Sequence, residues 1–355
     1  MLGAGALWVV LEWYGATSEV PWLFLLAAWI LALVVVAAGY AWWNRAGLRL
    51  HLVVQRNRPV TGSPVDELPE YILRTGPRPE PVFEGDGVEV EVGLDTTGRA
   101  RGPAWVKGAL GGKQVAFGTG LVPKEGWHRL RVLRELRRGP LGATGWTVGA
   151  SDPMGFFAGQ RPCEDAEVAL VLPRFASLYA RRRSREVEAS VAAPRAGSGN
   201  ELFGVREYRP GDSLRRIHWR SSARHGELVV REYEPPGVRR LAIHVDPAPP
   251  SDEVADQVAR IAASEAWDCI RDGGWVRMES AAPTRDLWTV LEWLARYPNS
   301  PFVASGDATP LRGEELVVVT AGGEVPSSPD RVWVVGDAEV DTDVAVERVG
   351  TQWPL

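Results

Sequence analysis

The sequence predicts a multidomain chain in three parts: a transmembrane segment, an all-β sandwich, and an α/β domain built as a doubly wound parallel sheet. Three observations predict it. Residues 21–43 carry no charged side chain. Residues 48–172 alternate apolar and polar positions between glycines and prolines. Beyond residue 238, short apolar runs alternate with stretches of helical period.

At 355 residues the chain has room for two or three domains, and 45% apolar content supplies their cores. A net charge of −5 argues against a general affinity for nucleic acid. Lys107, Lys113 and Lys124 are the only lysines, so the positive charge is almost all arginine. Cys163 and Cys269 fit no metal spacing and no disulfide framework, and read as reduced structural thiols.

The anchor domain is placed at residues 1–44. A helix over 21–43 reaches about 33 Å, enough for a hydrocarbon core of about 30 Å. Trp22 and Trp29 towards one end, with Tyr40, Trp42 and Trp43 at the other, suit the two interfaces. Residues 2–16 form a shorter apolar stretch, interrupted by Glu12, that is either a first helix or an interfacial segment. Arg45, Arg49, Arg56 and Arg58 follow the long helix while no basic residue precedes it. That asymmetry predicts a cytoplasmic C-terminal body on the inner face of a bacterial cytoplasmic membrane.

Residues 45–173 predict a small sandwich of the immunoglobulin-like kind. Leu50, Leu52 and Val54 alternate with polar neighbours, as do Val88, Val90, Val92 and Leu94 after an Asp86-Gly87 turn. Leu130 and Val132, then Val168, Leu170 and Leu172, continue the pattern. Asp152-Pro153-Met154-Gly155 reads as a tight turn. Residues 174–200, with Arg181, Arg182, Arg183 and Arg185, read as a linker.

The α/β domain is placed at 238–355. Strands are expected over 239–245, 275–278, 315–320 and 331–335, and helices over 251–272 and 286–296 with Ser251 as an N-cap. The last two strands are near-continuous apolar runs, as in buried parallel strands. Sites of such sheets lie at the strand C-terminal ends, which singles out Asp246.

Between the sandwich and this domain, residues 201–237 form the most unusual segment of the chain. It concentrates arginines, acids, His218, His225, Trp219 and a Pro210-Gly211 turn. Residues 204–209 should be extended and residues 227–234 should return as a strand. One reading pairs Arg206, Arg216, Arg220 and Arg224 with Glu207, Asp212, Glu227 and Glu232, since a guanidinium fork holds a carboxylate bidentately. Another makes Tyr208, His218, Trp219, Arg231 and those arginines a docking surface for a protein partner, because Arg, Trp and Tyr suit interface anchors. An anion or lipid-headgroup site is a third. A hydrolase built from Ser221 or Ser222 with His218, His225 and Asp212 is a fourth.

The residues of this segment also carry a family resemblance. Phe203-Gly204, Arg206-Glu207-Tyr208, Pro210-Gly211-Asp212, Arg216-Ile217-His218-Trp219, Ala223-Arg224, Gly226-Glu227-Leu228 and Val230-Arg231-Glu232 resemble, in order and spacing, the signature of the bacterial domain-of-unknown-function family fifty-eight. Upstream, Arg137-Arg138-Gly139 and the stretch 151–157 resemble that family's preceding segment. The resemblance covers nearly the whole chain.

It implies a membrane-anchored protein whose last domain is similar to a von Willebrand factor type A fold. It also implies a gene neighbour encoding a MoxR-type AAA+ ATPase, often near a transglutaminase-like membrane protein, and a role in assembly or maturation at the cell envelope. The activity of the family is not established. A metal-binding type A domain presents Asp-x-Ser-x-Ser, a carboxylate and two hydroxyls for a hard cation. Here Asp246 is followed by Pro247, Ala248, Pro249 and Pro250, and Ser251 is out of register. A degenerate site without metal or other cofactor is therefore expected. The leading expectation is a non-enzymatic adaptor partnered by the ATPase; the alternatives are the hydrolase and a metal-dependent binding module.

Overall fold

The computed structural model describes residues 2–18, 21–77, 81–179, 181, 202–207, 222, 227–233, 239–279, 281–299, 310–311, 313–322, 325–326 and 328–353. The chain divides into two compact units, Met1–Arg174 and Phe175–Leu355.

The first unit opens with two helices, α1 (Leu2–Ser18) and α2 (Pro21–Ala46), packed against each other. Within α2, Trp22–Ala46 is long and apolar enough to cross a membrane. Leu25, Trp29, Val35, Val36 and Trp42 all stand exposed on it, a cost in water that lipid removes. Residues 2–16 are thus part of a helix, with Trp13 and Tyr14 likewise exposed.

The last turn of α2 is fastened to the β part of the same unit. Asn44 is fully buried; its Oδ1 accepts from Gly102 N at 2.9 Å and its Nδ2 donates to Ser151 O at 3.0 Å. The Arg101 guanidinium donates to the carbonyls of Trp43 and Asn44 and lies 4.0 Å over the Trp43 ring. Those carbonyls have no partner within the helix, and a cation also suits the negative end of its dipole. Gly47 permits the arrangement: a Cβ there would fall 2.0 Å from the guanidinium carbon.

The β part begins with β1 (Leu48–Arg58), then the short helix α3 (Glu70–Leu73) and β2 (Val82–Phe83). After these come β3 (Gly87–Thr96), β4 (Ala104–Leu110), β5 (Lys113–Thr119), β6 (Trp127–Leu133), β7 (Gly139–Ser151), β8 (Ala158–Pro162) and β9 (Ala166–Leu172). Strands β1, β3 and β6 form one antiparallel sheet. The second sheet runs β2-β9-β7-β4-β5, with β8 paired to β7. The two sheets share one core, in which Val88, Val90, Val92 and Leu94 of β3 meet Val106, Trp146, Val148 and Val171. In β3 the alternation read from the sequence is the alternation of buried positions, whereas Leu130 and Val132 of β6, read in the same way, stand exposed because their side chains lie on the outer face of the sheet.

Two buried aspartates order the turns. Asp152 accepts from Met154 N at 2.9 Å and Phe157 N at 2.6 Å, which makes the expected tight turn. Asp86, fully buried, accepts from Val60 N, Ser63 Oγ and Phe83 N, each at 3.1 Å. Burial pushes its carboxyl above the ordinary value, and those hydrogen bonds only partly oppose the shift.

In the second unit, residues 175–179 belong to the α/β body although the sequence placed them in a linker. Phe175 packs on Trp267, and Leu178 N donates to Asp268 Oδ2 at 2.9 Å. The signature segment contributes β10 (Leu202–Glu207) and β11 (Val229–Tyr233), an antiparallel pair. After them come β12 (Arg240–Val245), α4 (Asp252–Arg271), β13 (Trp275–Met278), α5 (Leu287–Arg296), β14 (Glu315–Thr320), β15 (Arg331–Val335) and β16 (Val346–Val349). The last five strands form a parallel sheet in the order β13-β12-β14-β15-β16. Helix α4 packs on β12 to β15, and α5 packs on α4. Ser251 caps α4 as expected, its Oγ accepting from Val254 N at 3.3 Å.

Candidate functional site

The chain leaves β12 towards β13 on one side and comes back to β14 on the other, so the strand order reverses at β12. In a parallel sheet such a reversal opens a crevice at the strand C-terminal ends. Asp246 is the first residue beyond β12 and stands at that reversal, with β14 beside it.

Its carboxylate is already engaged. Oδ1 accepts from Ala248 N at 2.9 Å, a local Asx turn across Pro247. Oδ2 accepts from Ala321 N at 3.0 Å, just past the end of β14. The Thr320 hydroxyl lies 3.3 Å from Oδ2 but has a better acceptor in Gly322 O at 2.6 Å. Tyr297 donates its hydroxyl to the Asp246 carbonyl. These N–H groups point their hydrogens at the oxygens a cation would need, and residues 247–250 offer no hydroxyl. The donor set does not fit the Asp-x-Ser-x-Ser type of cation site.

The other side of β12 is closed in the same manner. His244 Nδ1 meets Glu279 Oε2 at 2.9 Å, and Val245 N donates to Glu279 Oε1 at 2.8 Å. Glu279 follows β13 and adopts a left-handed φ of 46°. Arg277 within β13 grips Glu314, the residue just ahead of β14: Nη2 to Oε2 at 2.6 Å and Nε to Oε1 at 3.2 Å. Burial alone would raise the Glu314 carboxyl. The hydrogen bonds from Arg277 and Leu311 N, with the charges of Arg277 and Arg240, more than reverse that and hold it below the ordinary value.

A larger ionic network ties the opposite, N-terminal edge of the sheet. Arg239 Nε donates to Glu315 Oε2 at 2.8 Å and Arg331 Nη2 to Glu315 Oε1 at 2.9 Å. Arg331 Nη1 reaches the fully buried Glu265 of α4 at 2.8 Å, and Trp333 Nε1 donates to the same oxygen at 2.9 Å. Sequence reasoning sought arginine–carboxylate pairing within the signature and missed this network, whose members are spread from 239 to 331. The one available signal was the charged residue opening each apolar run, Glu315 before β14's valines and Arg331 before those of β15.

Within the signature, backbone pairing sets Arg206 opposite Val230, Glu207 opposite Val229, Val205 opposite Arg231 and Gly204 opposite Glu232. Arg206 and Arg231 are thus one register step apart on neighbouring strands. Glu227, just ahead of β11, is exposed. Ser222 is buried. Tyr208, Asp212, Arg216, His218, Trp219, Arg220 and Arg224 lie outside the described residues, as do Ser221 and His225.

Fold and rim together define a class: an apolar helical hairpin, a two-sheet β unit, and a parallel α/β unit with a closed strand-end rim. The family described as "Protein of unknown function DUF58" matches residues 204–267, which run from β10 through the charged segment and β12 into α4. The "Uncharacterized protein YeaD" of Bacillus subtilis (strain 168) is 26% identical over 88 residues. That match covers 25% of this chain and 22% of the relative, so the chain spans about a fifth of the curated protein it matches. The charged segment and the first β-α step of the sheet therefore form one matched stretch.

Proposed function

We propose that this protein is a membrane-anchored, non-enzymatic adaptor that works with a MoxR-type AAA+ ATPase in envelope assembly or maturation. The β unit reads as an immunoglobulin-like sandwich and the α/β unit as a degenerate type A-like domain. The observation that carries the reading is the Asp246 carboxylate, engaged by the Ala248 and Ala321 amides where a type A domain would offer oxygens to a cation. With the rim closed in this way, the arginine-rich segment is the part of the chain whose residue types suit recognition, in particular of an acidic protein partner. Arg45, Arg49, Arg56 and Arg58 after the apolar helix support a cytoplasmic body, the compartment of an AAA+ partner.

The test is in-cell crosslinking and capture of tagged protein, beside an Arg216→Glu/Arg220→Glu variant shown to fold. Capture of an AAA+ ATPase by the wild type and its loss in the variant supports the adaptor. Equal capture by both removes these arginines as the dock, and no ATPase at all overturns the reading. The hydrolase alternative requires fluorophosphonate labelling that disappears in Ser221→Ala or Ser222→Ala; the buried position of Ser222 favours the adaptor.

A further inference from the structure

On the outer face of the three-stranded sheet, two histidines and two carboxylates converge. The register explains how. His51 of β1 pairs with Gly93 of β3, and Gly93 pairs in turn with His128 of β6. Gly93 has no side chain between them, so the imidazoles close over it, with ring centres 5.6 Å apart. A Cβ at Gly93 would fall 2.0 Å from the His51 ring. Two residues along β3, Glu91 points its Oε1 into the same space, 3.3 Å from His51 Nε2 and 3.1 Å from His128 Nδ1. One nitrogen from each histidine and one Glu91 oxygen all lie within 4.8 Å of one another.

We propose that His51 Nε2, His128 Nδ1 and Glu91 Oε1 bind a divalent transition-metal ion of the zinc class. Zinc held at about 2.0–2.1 Å by tetrahedral N and O ligands separates neighbouring ligands by about 3.3 Å, close to the 3.3 and 3.1 Å between Glu91 Oε1 and the two ring nitrogens. Two imidazoles and a carboxylate form a borderline donor set that suits zinc over magnesium or calcium. The outer shell is built as well. His51 Nδ1 faces Asp95 Oδ2 at 3.0 Å, the carboxylate–histidine–metal arrangement that fixes the tautomer and leaves Nε2 free to ligate. Gln55 Nε2 donates to Glu91 Oε2 at 2.6 Å and turns the other oxygen inward.

The arrangement is awkward without a cation. A neutral imidazole has one N–H, yet His51 presents both nitrogens to carboxylates. With the proton on Nδ1 for Asp95, the Nε2 lone pair faces the Glu91 oxygen. Either a second proton or a metal ion must fill that gap. The side chains of His128 and Glu91 are 48% and 20% accessible, so solvent reaches the fourth position. The ion links β1 and β6, the two edges of this sheet, across β3.

The experiment uses the full-length protein in detergent micelles, stripped with EDTA, with Zn2+ and Co2+ as probes. One Zn2+ per chain should survive gel filtration, and Co2+ should give the visible bands of a low-symmetry nitrogen–oxygen site. The His51→Ala/His128→Ala variant should lose the ion and the bands while keeping the wild-type circular dichroism. Gly93→Ala should lose them too, because the ring cannot stay over an added methyl. Asp95→Asn should weaken Zn2+ binding about tenfold or more. Zn2+ should raise the melting temperature of the wild type and not of the double variant. Failure to retain stoichiometric Zn2+ overturns the proposal and leaves a proton as the filler. Retention in the double variant overturns it as well, since the ion then sits elsewhere.

Discussion

The backbone N–H of Ala321 donates to the Asp246 carboxylate at 3.0 Å, joining the C-terminal ends of β12 and β14. With Ala248 N on the other oxygen, Asp246 acts as a clasp between neighbouring strand ends. Asp246→Ala leaves the part-buried Ala248 and Ala321 amides without their acceptor and should cost about 1–2 kcal/mol in chemical denaturation. Magnesium should leave the wild-type melting temperature unchanged. A magnesium-dependent rise that vanishes in Asp246→Ala would instead restore the cation site.

Arg277 and Glu314 form a nearly buried pair, with side chains 14% and 4% exposed. Replacing Arg277 with Met leaves the carboxylate with only the Leu311 amide and the charge of Arg240, and should cost about 2–3 kcal/mol at neutral pH. The Glu314 carboxyl is held below its ordinary value, so the pair's contribution is present above the unfolded value of about 4.3 and is lost as pH falls through the folded one. The gap between wild type and Arg277→Met should therefore narrow in acid. Urea titrations of both proteins across that range check the direction.

Asp86 has the opposite sign. Its folded carboxyl lies above the ordinary value through burial, so the native state holds the proton more tightly than the unfolded chain does. The resulting stability is fully present below about pH 3.9 and is lost as pH rises through the raised value. The advantage of wild type over Asp86→Asn should thus be largest at the acid end and shrink towards neutrality. A constant difference across pH would show that the Asp86 carboxyl titrates alike in the folded and unfolded chain, and would overturn the upward shift.

Asn44 holds the foot of α2 to the strands beyond it. Asn44→Ala leaves Gly102 N–H and the Ser151 carbonyl without their partner in a buried place, at about 2–3 kcal/mol. Circular dichroism should show the helices intact while the β unit melts at lower denaturant in micelles. Equal melting of both proteins would mean that the joint contributes nothing.

The parallel sheet was the most legible part of the sequence. Strands expected over 275–278, 315–320 and 331–335 are β13, β14 and β15 with the same bounds, because apolar runs between glycines and charges have sharp edges. β4 and β5 were not legible. Gly108 interrupts β4, and the reason for it is tertiary: a Cβ there would fall 2.5 Å from the Trp146 ring. β16 carries Glu347 and Arg348 between its two valines, so it shows no apolar run.

The candidate sites divide in the same way. Asp246 was legible because strand-end position follows from local pattern. One of the two hydrogen bonds that close it comes from Ala321, whose place depends on a crossover of 75 residues. The His51, Glu91 and His128 cluster was invisible, since its members sit on three strands and only the register over Gly93 joins them. The Arg239, Glu315, Arg331 and Glu265 network was hidden for the same reason.

The joint between Asn44, Arg101 and the end of α2 has a mechanical consequence. A flexible tether would let the β unit tumble beneath its anchor, and any partner would have to wait for the right face. Here the helix continues into the β unit through buried hydrogen bonds. With α2 seated in a bilayer, the tilt of the helix becomes the attitude of the β unit. Rotation about the helix axis turns both together, and the β unit keeps a fixed attitude to the helix that carries it.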